Sequence, residues 1–205
     1  MTGLWRGSAP LLLASKSAAR RALLAAAGIP LESCDAKVDE RAVEAPLREA
    51  GAGAAAIAAE LARTKALAAA AKAPGRLVVG ADQTLAFGER LFVKPRDRSD
   101  AAAQLAALSG ATHELHSALC VAQGDKVLFE ASPVARLTMR RLSPAFIEAY
   151  LAAAGENVLG SVGAYQIEGL GLNLFEKIVG DHSVVLGLPL LPLLDFLRAE
   201  GSLIS

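Results

Sequence analysis

The beginning of the chain pairs a short apolar run with a segment of helical composition. Residues 10–15 (PLLLAS) form the apolar run, which is typical of a buried strand. Residues 17–27 (SAARRALLAAA) have the composition of a helix, and Gly28 can adopt the left-handed conformation that ends helices. This part of the chain therefore predicts a strand, a turn and a helix in succession.

The next part of the chain predicts one more strand and one long helix. Residues 31–34 (LESC) are the strand candidate, and residues 38–41 (VDER) are expected to form an acidic loop. Alanine, which has the highest intrinsic helix propensity, dominates the chain from about residue 53 to residue 72. We expect a long helix there.

The middle of the chain changes from alternating elements to consecutive strands. A mostly apolar strand is predicted at residues 77–81, ending on Asp82, and a helix at residues 99–108 with Ser99 as its N-cap. Three apolar or alternating segments follow, separated by turn residues, and predict an antiparallel meander. They are residues 113–122, 127–130 and 134–139.

The end of the chain predicts two helices on either side of a glycine-dense stretch. One helix starts at Ser143-Pro144 and runs to about residue 153, the glycine-dense stretch covers residues 155–171, and a closing helix starts near Pro189. No long linker divides the chain. Together, these strands and helices predict an α/β fold with a mixed sheet in a single domain over residues 1–205.

The composition limits the classes of partner. The 21 basic and 21 acidic side chains leave no formal net charge, which argues against broad nucleic-acid binding, since that needs clustered cations. No apolar stretch approaches the ~20 residues that span a bilayer. Cys34 and Cys120 are far apart and fit no metal motif, so we expect two buried thiols in a reducing compartment, the cytoplasm.

The turn between the first strand and the first helix is a candidate anion site. Free backbone N–H groups and the positive end of a helix point at a ligand in such turns. Ser15 and Ser17 add hydroxyl donors, and Arg20 and Arg21 lie one turn into the helix. The alternative is that Ser17 only caps the helix and that the arginines are solvated.

A second group of candidates surrounds the predicted strand that ends on Asp82. An acid at the carboxyl end of such a strand can hold a magnesium ion or orient a water molecule, or it can cap a turn. Lys94, followed by proline, and Lys65 offer positive charge for phosphate, or are solvated surface lysines. His113 and His116 are three residues apart in a strand, so they cannot chelate one metal together.

Four segments in chain order carry a resemblance to a known family. They are LLASKSAARRALL at 12–24, VGADQTLAFGERLFVKP at 79–95, LSGATH at 108–113 and SVGAYQIEGLGLNLFEKIVGDHSVVLGLP at 161–189. Together they resemble the Maf family of nucleoside triphosphate pyrophosphatases. The resemblance implies an elongated mixed sheet flanked by helices, a central nucleotide cleft, a homodimer, and hydrolysis between the α and β phosphates of a nucleoside triphosphate.

The resemblance also implies roles for individual residues. Asp82 corresponds to the acid that acts as general base. Ser15, Arg20 and Lys94 correspond to positions that face the phosphates, while Glu40 and Lys65 correspond to further residues of the cleft. A divalent cation, with Asp82 and Glu40 as its ligands, is implied as well; magnesium suits these hard oxygen ligands, and manganese or cobalt are alternatives.

Two positions bear on which base is recognised. Family members of one type, which act on thymidine or uridine triphosphate, have Thr after the key acid and Gln near the glycine-rich motif, whereas a 7-methyl-GTP type has Gln and Glu. Gln83 and Glu168 resemble the second type. A carboxylate can accept hydrogen bonds from the guanine N1–H and amino group. Ala18 and Ala19 depart from the family loop, in which proline takes the place of Ala18.

Three hypotheses about function follow. The first is a hydrolase that clears modified or non-coding nucleoside triphosphates. The second is a nucleotide-binding regulator of cell division with little turnover, which would use the same pocket but has no need of the water-orienting acids Asp82 and Glu40. The third is an interaction domain whose polar residues all lie on the surface; saturable nucleotide binding that depends on Arg20 or Lys94 excludes it.

Overall fold

The strands confirm the mixed α/β class. The computed structural model describes residues 3–205 and contains eight strands in that range. They are β1 Leu11–Ala14, β2 Leu31–Ser33, β3 Val78–Phe87, β4 Arg90–Phe92, β5 Thr112–Gln123, β6 Lys126–Ala131, β7 Val134–Met139 and β8 Phe175–Val179.

Helices flank this open sheet. The seven α-helices within the same range are α1 Ala18–Ala26, α2 Glu40–Glu49, α3 Ala54–Ala70, α4 Arg98–Leu108, α5 Pro144–Ala154, α6 His182–Val185 and α7 Leu190–Ala199. The glycine-dense stretch after α5 forms short 3-10 turns instead of a long loop, at Gly155–Gly160, Val162–Ala164 and Leu170–Leu174.

The sheet is mixed, with parallel and antiparallel neighbours. Its order is β2-β1-β3-β5-β7-β8, with β4 beside β3 and β6 beside β5. β1 runs parallel to β2 and to β3, while the β3–β4, β5–β6, β5–β7 and β7–β8 pairs are antiparallel. The three strands predicted in residues 113–139 are present, but the predicted meander is wrong. β6 pairs with the second half of β5 and β7 pairs with its first half, so β7 follows β6 along the same neighbour instead of pairing with β6.

The chain forms two compact units, each made of several segments. The first contains the chain up to Gln83, residues 117–133 and residues 181–205; the second contains residues 84–116 and 134–180. Neither unit is a continuous piece of sequence. The expected organisation as one domain stays a prediction.

In the first unit, helices cover both faces of the sheet. Alternate residues of β1, β3 and β5 belong to two separate clusters, as the two-residue period of a strand requires. One cluster packs against α1 and α7 and includes Leu13, Val79 and Val121. The other packs against α3 and includes Leu12 and Val78, with the buried alanines of α3.

The same alternation decides where the polar end of β3 points. Val78 lies on the α3 face, so Gly80 and Asp82 share that face, while Ala81 and Gln83 lie on the opposite one. Two chemically important neighbours in sequence, Asp82 and Gln83, therefore face different helices. The family resemblance made Asp82 the general base and a metal ligand and related Gln83 to base recognition, without this difference in orientation.

The core of the second unit contains a buried polar pair. His113 on β5 is fully buried, and its Nε2 lies 2.7 Å from the hydroxyl of Tyr165. Phe175 packs on both rings. Burial lowers the pKa of His113 to about 4, so the ring is neutral near pH 7.

We expect His113 to make the folded protein less stable in mild acid. The imidazole takes up a proton near pH 6.5 in the unfolded chain but only near pH 4 in the folded one, so between these values the unfolded state binds more protons. The free energy of unfolding should fall by about 2 kcal/mol between pH 8 and pH 5 through this group. This change is measured by urea unfolding of the wild type and of His113→Gln, in which the glutamine side chain has no ionisable group.

The difference between the two proteins isolates His113, because every other ionisable group is the same in both. The wild type should lose more stability than His113→Gln as the pH falls. Identical pH profiles would contradict a buried, neutral His113.

Most predicted elements are present at nearly the predicted bounds, but three further predictions are wrong. Strand β3 does not end at Asp82; it continues to Phe87, because its second half pairs with β4. Glu40 does not lie in a loop but begins α2, for which Asp39 is the N-cap. The N-cap of α4 is Asp97, whose side chain accepts from the N–H of Asp100, and not Ser99. Four elements were not predicted at all: α2, β4, β8 and α6.

The two thiols are free, and their burial differs. Cys120 is buried and Cys34 only partly so. Burial raises the pKa of Cys120 to about 12 and also raises that of Cys34. Over residues 3–205, no helix has both the length and the apolar composition needed to cross a membrane.

Candidate functional site

Two carboxylates of the first unit converge on one lysine. The Lys65 ammonium lies 2.5 Å from Asp82 Oδ1 and 2.6 Å from Glu40 Oε1. The side chains of Lys65 and Asp82 are each 12% exposed, whereas that of Glu40 is 52% exposed. The cluster is therefore buried on the side of Asp82 and open on the side of Glu40.

Three elements bring these side chains together. Asp82 is on β3, Lys65 is on α3, and Glu40 is the first residue of α2. Gly80 lets α3 approach β3 closely, since a Cβ there would lie only 2.2 Å from the backbone oxygen of Ala62. Because α3 and β3 lie so close together, Lys65 on α3 can reach the carboxylate of Asp82, two residues after Gly80 on β3.

A second cluster is built around Arg20. Its Nη1 donates to the backbone oxygen of Ala81 at 2.6 Å and to Ser15 Oγ at 3.3 Å, and its Nε donates to the backbone oxygen of Gly187 at 2.8 Å. These bonds use Nε and Nη1 but not Nη2. Arg20 thus joins the turn after β1, the strand that carries Asp82, and the segment between α6 and α7.

The Arg20 guanidinium lies near the carboxylate cluster. Burial lowers its pKa, and the negative charges of Asp82 and Glu40 act in the opposite direction. Ser17 caps α1 by accepting from the Arg20 N–H at 3.3 Å. Ser17 therefore caps the helix, as the alternative interpretation held, while Arg20 places a fixed cation beside the turn after β1.

Gln83 is held by a network on the other face of β3. Its Nε2 lies 2.9 Å from Ser117 Oγ, 3.0 Å from the backbone oxygen of Val184 and 3.0 Å from that of Val185. The fully buried Ser117 also donates to the oxygen of Val184 at 2.6 Å. Asp181 holds the other end of the same short helix as its N-cap.

We expect Ser117 to contribute measurably to the stability of this network. Replacing it by alanine leaves a buried carbonyl without its hydroxyl donor and removes one acceptor of Gln83, so the free energy of unfolding should fall by about 1–2 kcal/mol. Urea unfolding of Ser117→Ala measures the change. Ser132→Ala, at an exposed serine, is the matched control and should not differ from the wild type. Equal stability of the two variants would contradict the network.

The other predicted residues are more exposed. Arg21 on α1 is exposed, and so are Lys94 after β4 and Glu168 in the glycine-dense stretch. Lys94 and Glu168 belong to the second unit, whereas the two clusters described above belong to the first. The roles predicted for these three residues stay predictions.

The carboxylate cluster fits a hard divalent cation that arrives with its own oxygen ligands. Two carboxylate oxygens already point at one cation position, which the ammonium of Lys65 takes. Within residues 3–205, no group of three or more His, Cys, Asp or Glu side chains could hold a metal. Magnesium is commonly held by one or two carboxylates together with substrate phosphates, and the two carboxylates are the part of that donor set that the chain supplies.

The residues that hold the site in place were not among the predicted ones. Ser117 lies within an otherwise apolar strand, and Gly187 contributes only a carbonyl, so neither carries a motif. Asp181 followed two residues later by Ser183 is a helix-capping pattern that does predict the start of α6. From this pattern, α6 could have been predicted from the sequence.

Comparison with known proteins gives one family match. The profile described as Maf-like protein matches residues 10–200. A nucleoside triphosphate pyrophosphatase of Rhodopseudomonas palustris (strain BisB18) is 55% identical over 198 residues, and one of Bradyrhizobium diazoefficiens is 56% identical over 198 residues. These alignments cover 96% and 97% of both chains, respectively. A 7-methyl-GTP pyrophosphatase of Rhizobium johnstonii is 51% identical, over 94% of this chain and 97% of its own.

Proposed function

We propose, because the chain belongs to the Maf-like protein family, that it hydrolyses nucleoside triphosphates to a nucleoside monophosphate and pyrophosphate. It is then a hydrolase acting on acid anhydrides, which is supported by relatives that are similar over nearly their full length and are named nucleoside triphosphate pyrophosphatase. The observation that carries the proposal is the carboxylate pair of Asp82 and Glu40 beside two cations, Lys65 and Arg20.

The reaction consumes one water molecule. The water oxygen forms a bond to the α-phosphorus, the bond from that phosphorus to the bridging α–β oxygen breaks, and pyrophosphate leaves with that oxygen. Asp82 orients the water and accepts its proton, because it is the carboxylate held in a buried, fixed position. Glu40, which is more exposed, is the second acceptor and completes the acidic side of the site.

The two cations stabilise the negative charge that accumulates on the phosphates. Arg20 is fixed by three hydrogen bonds and can present Nη2 to a phosphate oxygen without moving. Lys65 has a flexible stem and can turn from the carboxylates to the triphosphate. Ser15 and the start of α1 supply neutral donors. The sequence resemblance supports Lys94 as a further cation for the phosphates.

We further propose that the reaction needs magnesium, with manganese or cobalt as replacements. A bound divalent cation supplies charge neutralisation of the leaving pyrophosphate and polarisation of the phosphate. Asp82 and Glu40 are the residues that would hold it. Their convergence on one position and their hard oxygen atoms support this assignment.

The finer proposal for the substrate is 7-methyl-GTP. It is supported by Gln83 and Glu168 and by the name of the relative from Rhizobium johnstonii. The amide of Gln83 already binds Ser117 and two backbone oxygens, so its contribution to base recognition is to hold this part of the site in shape. Direct hydrogen bonds to the base are assigned to Glu168.

A panel of nucleotides tests the function and the base together. Purified protein is incubated with magnesium and with 7-methyl-GTP, GTP, UTP, TTP or CTP, and the nucleoside monophosphate and pyrophosphate are separated and quantified. We expect both products in equal amounts, fastest with 7-methyl-GTP, and a preference that weakens in Glu168→Gln. Saturable binding without turnover would instead favour the nucleotide-binding regulator, and release of orthophosphate would indicate another phosphohydrolase.

We also propose a cytoplasmic homodimer. The cytoplasm holds the nucleotide pool on which such an enzyme acts, and it keeps free thiols such as those of Cys34 and Cys120 reduced. Light scattering of the purified protein at several concentrations measures the oligomeric state. A mass of one chain at every concentration would contradict the dimer.

A further inference from the structure

The Lys65 ammonium lies where a divalent cation would have to bind. Its Nζ is 2.5 Å from Asp82 and 2.6 Å from Glu40, whereas a magnesium ion lies about 2.1 Å from its oxygen ligands. An ion that used both carboxylates would overlap with the ammonium. Lys65 and a divalent cation therefore exclude each other from this position.

The backbone around Lys65 leaves little freedom for α3 to move away. The neighbouring residues Ala62 and Ala66 are fully buried, and both contact the backbone of β3 at Gly80. A Cβ at Gly80 would lie 2.5 Å from the backbone nitrogen of Ala66. The helix is packed tightly on the strand, so Lys65 leaves Asp82 by rotation of its side chain and not by movement of α3.

The charges of the cluster explain why the ammonium stays in place without substrate. Asp82 is buried, and an ionised carboxylate in that position needs a cation beside it. Lys65 supplies this cation from within the chain. A triphosphate brings several negative charges, so its arrival gives Lys65 an alternative partner while the divalent cation bound to the phosphates takes over the carboxylates.

We propose that Lys65 acts as an internal cation that keeps the carboxylate pair closed to divalent metal until the nucleotide arrives. The metal then enters as a complex with the nucleotide, and Lys65 turns to the phosphates. This inference rests on the proposed function and extends it to the order in which the site is filled. It makes Lys65 a positioning residue before catalysis and a phosphate-binding residue during it.

Metal binding without nucleotide tests the inference. The affinity for Mn²⁺ is measured by electron paramagnetic resonance for the wild type, for Lys65→Met and for Lys72→Met. Lys72 lies just after α3 and is exposed, so its replacement removes the same charge outside the cluster. We expect Lys65→Met to bind Mn²⁺ at least about tenfold more tightly than the other two proteins, because a like charge has been removed from the ion's position.

Two further measurements keep the test decisive if Lys65→Met folds poorly. Lys65→Gln, which keeps a polar side chain, should gain more thermal stability from added Mn²⁺ than the wild type does at the same concentration. The wild type alone should not be saturated by about 1 mM Mn²⁺. Saturation of the wild type well below that concentration, or equal affinity of wild type and Lys65 variants, would overturn the inference.

The outcomes also separate this inference from the proposed function. Tighter Mn²⁺ binding by the variants with no nucleotide hydrolysis by the wild type would support the role of Lys65 and contradict the pyrophosphatase. Hydrolysis by the wild type with unchanged Mn²⁺ affinity in the variants would leave the enzyme intact and refute the closed carboxylate pair.

Discussion

Replacing Asp82 by asparagine should lower kcat for nucleotide hydrolysis by about a hundredfold or more, because the water loses the group that accepts its proton. Nucleotide binding should persist. The substitution keeps the size of the side chain and one oxygen atom for the cation, and it removes one negative charge beside the triphosphate, so KM should change much less than kcat. The effect is therefore expected in kcat, which steady-state assays of pyrophosphate release measure directly.

The matched control is Asp125→Asn, which makes the same chemical change at an exposed residue of the turn between β5 and β6. It should retain the kinetic constants of the wild type. An Asp82→Asn enzyme that loses affinity but keeps kcat would show that Asp82 binds substrate and does not act on the water. Retention of both constants would remove Asp82 from the reaction altogether.

Adding one methyl group at Gly80 should destabilise the protein by about 3 kcal/mol, the upper part of the range for overpacked cores. The new Cβ would lie 2.2 Å from the backbone oxygen of Ala62 and 2.5 Å from the backbone nitrogen of Ala66. Both contacts are with the backbone of α3, so no rotamer change relieves them. Either α3 moves away from β3 or the strand distorts.

Movement of α3 would also separate Lys65 from Asp82, so Gly80→Ala should lose activity at temperatures where it is still folded. Denaturant unfolding gives the change in stability. Gly160→Ala is the control, because a Cβ at Gly160 meets no atom within 4 Å and should leave stability nearly unchanged. If Gly80→Ala were as stable as this control, the close approach of α3 to β3 would be incorrect.

The parts of the fold predicted from sequence are those decided by local pattern. The alanines of α3 specify a helix wherever they pack, and the buried run of β1 specifies a strand. By contrast, α2 contains Pro46 and buries no residue, and most of β8 is exposed, so neither element has an apolar pattern to detect. Their formation depends on neighbours that are distant in sequence.

In the candidate site, too, some features follow from the local sequence and others depend on residues that are distant in sequence. The chemistry of Asp82, Lys65 and Arg20 could be inferred from residue type and family resemblance. Their arrangement could not, because the ion pair of Lys65 with Asp82 depends on the close approach at Gly80, and two of the bonds of Arg20 are to backbone oxygens. The opposite orientation of Gln83 required only the two-residue period of β3, once the strand was known to continue beyond Asp82.

The most direct test of the central claim is to identify the phosphorus atom that water attacks. Hydrolysis is carried out in water enriched in oxygen-18, and the products are separated and weighed by mass spectrometry. Attack on the α-phosphorus predicts one labelled oxygen in the nucleoside monophosphate and none in the pyrophosphate. Label in pyrophosphate, or labelled orthophosphate as the main product, would contradict the proposed reaction.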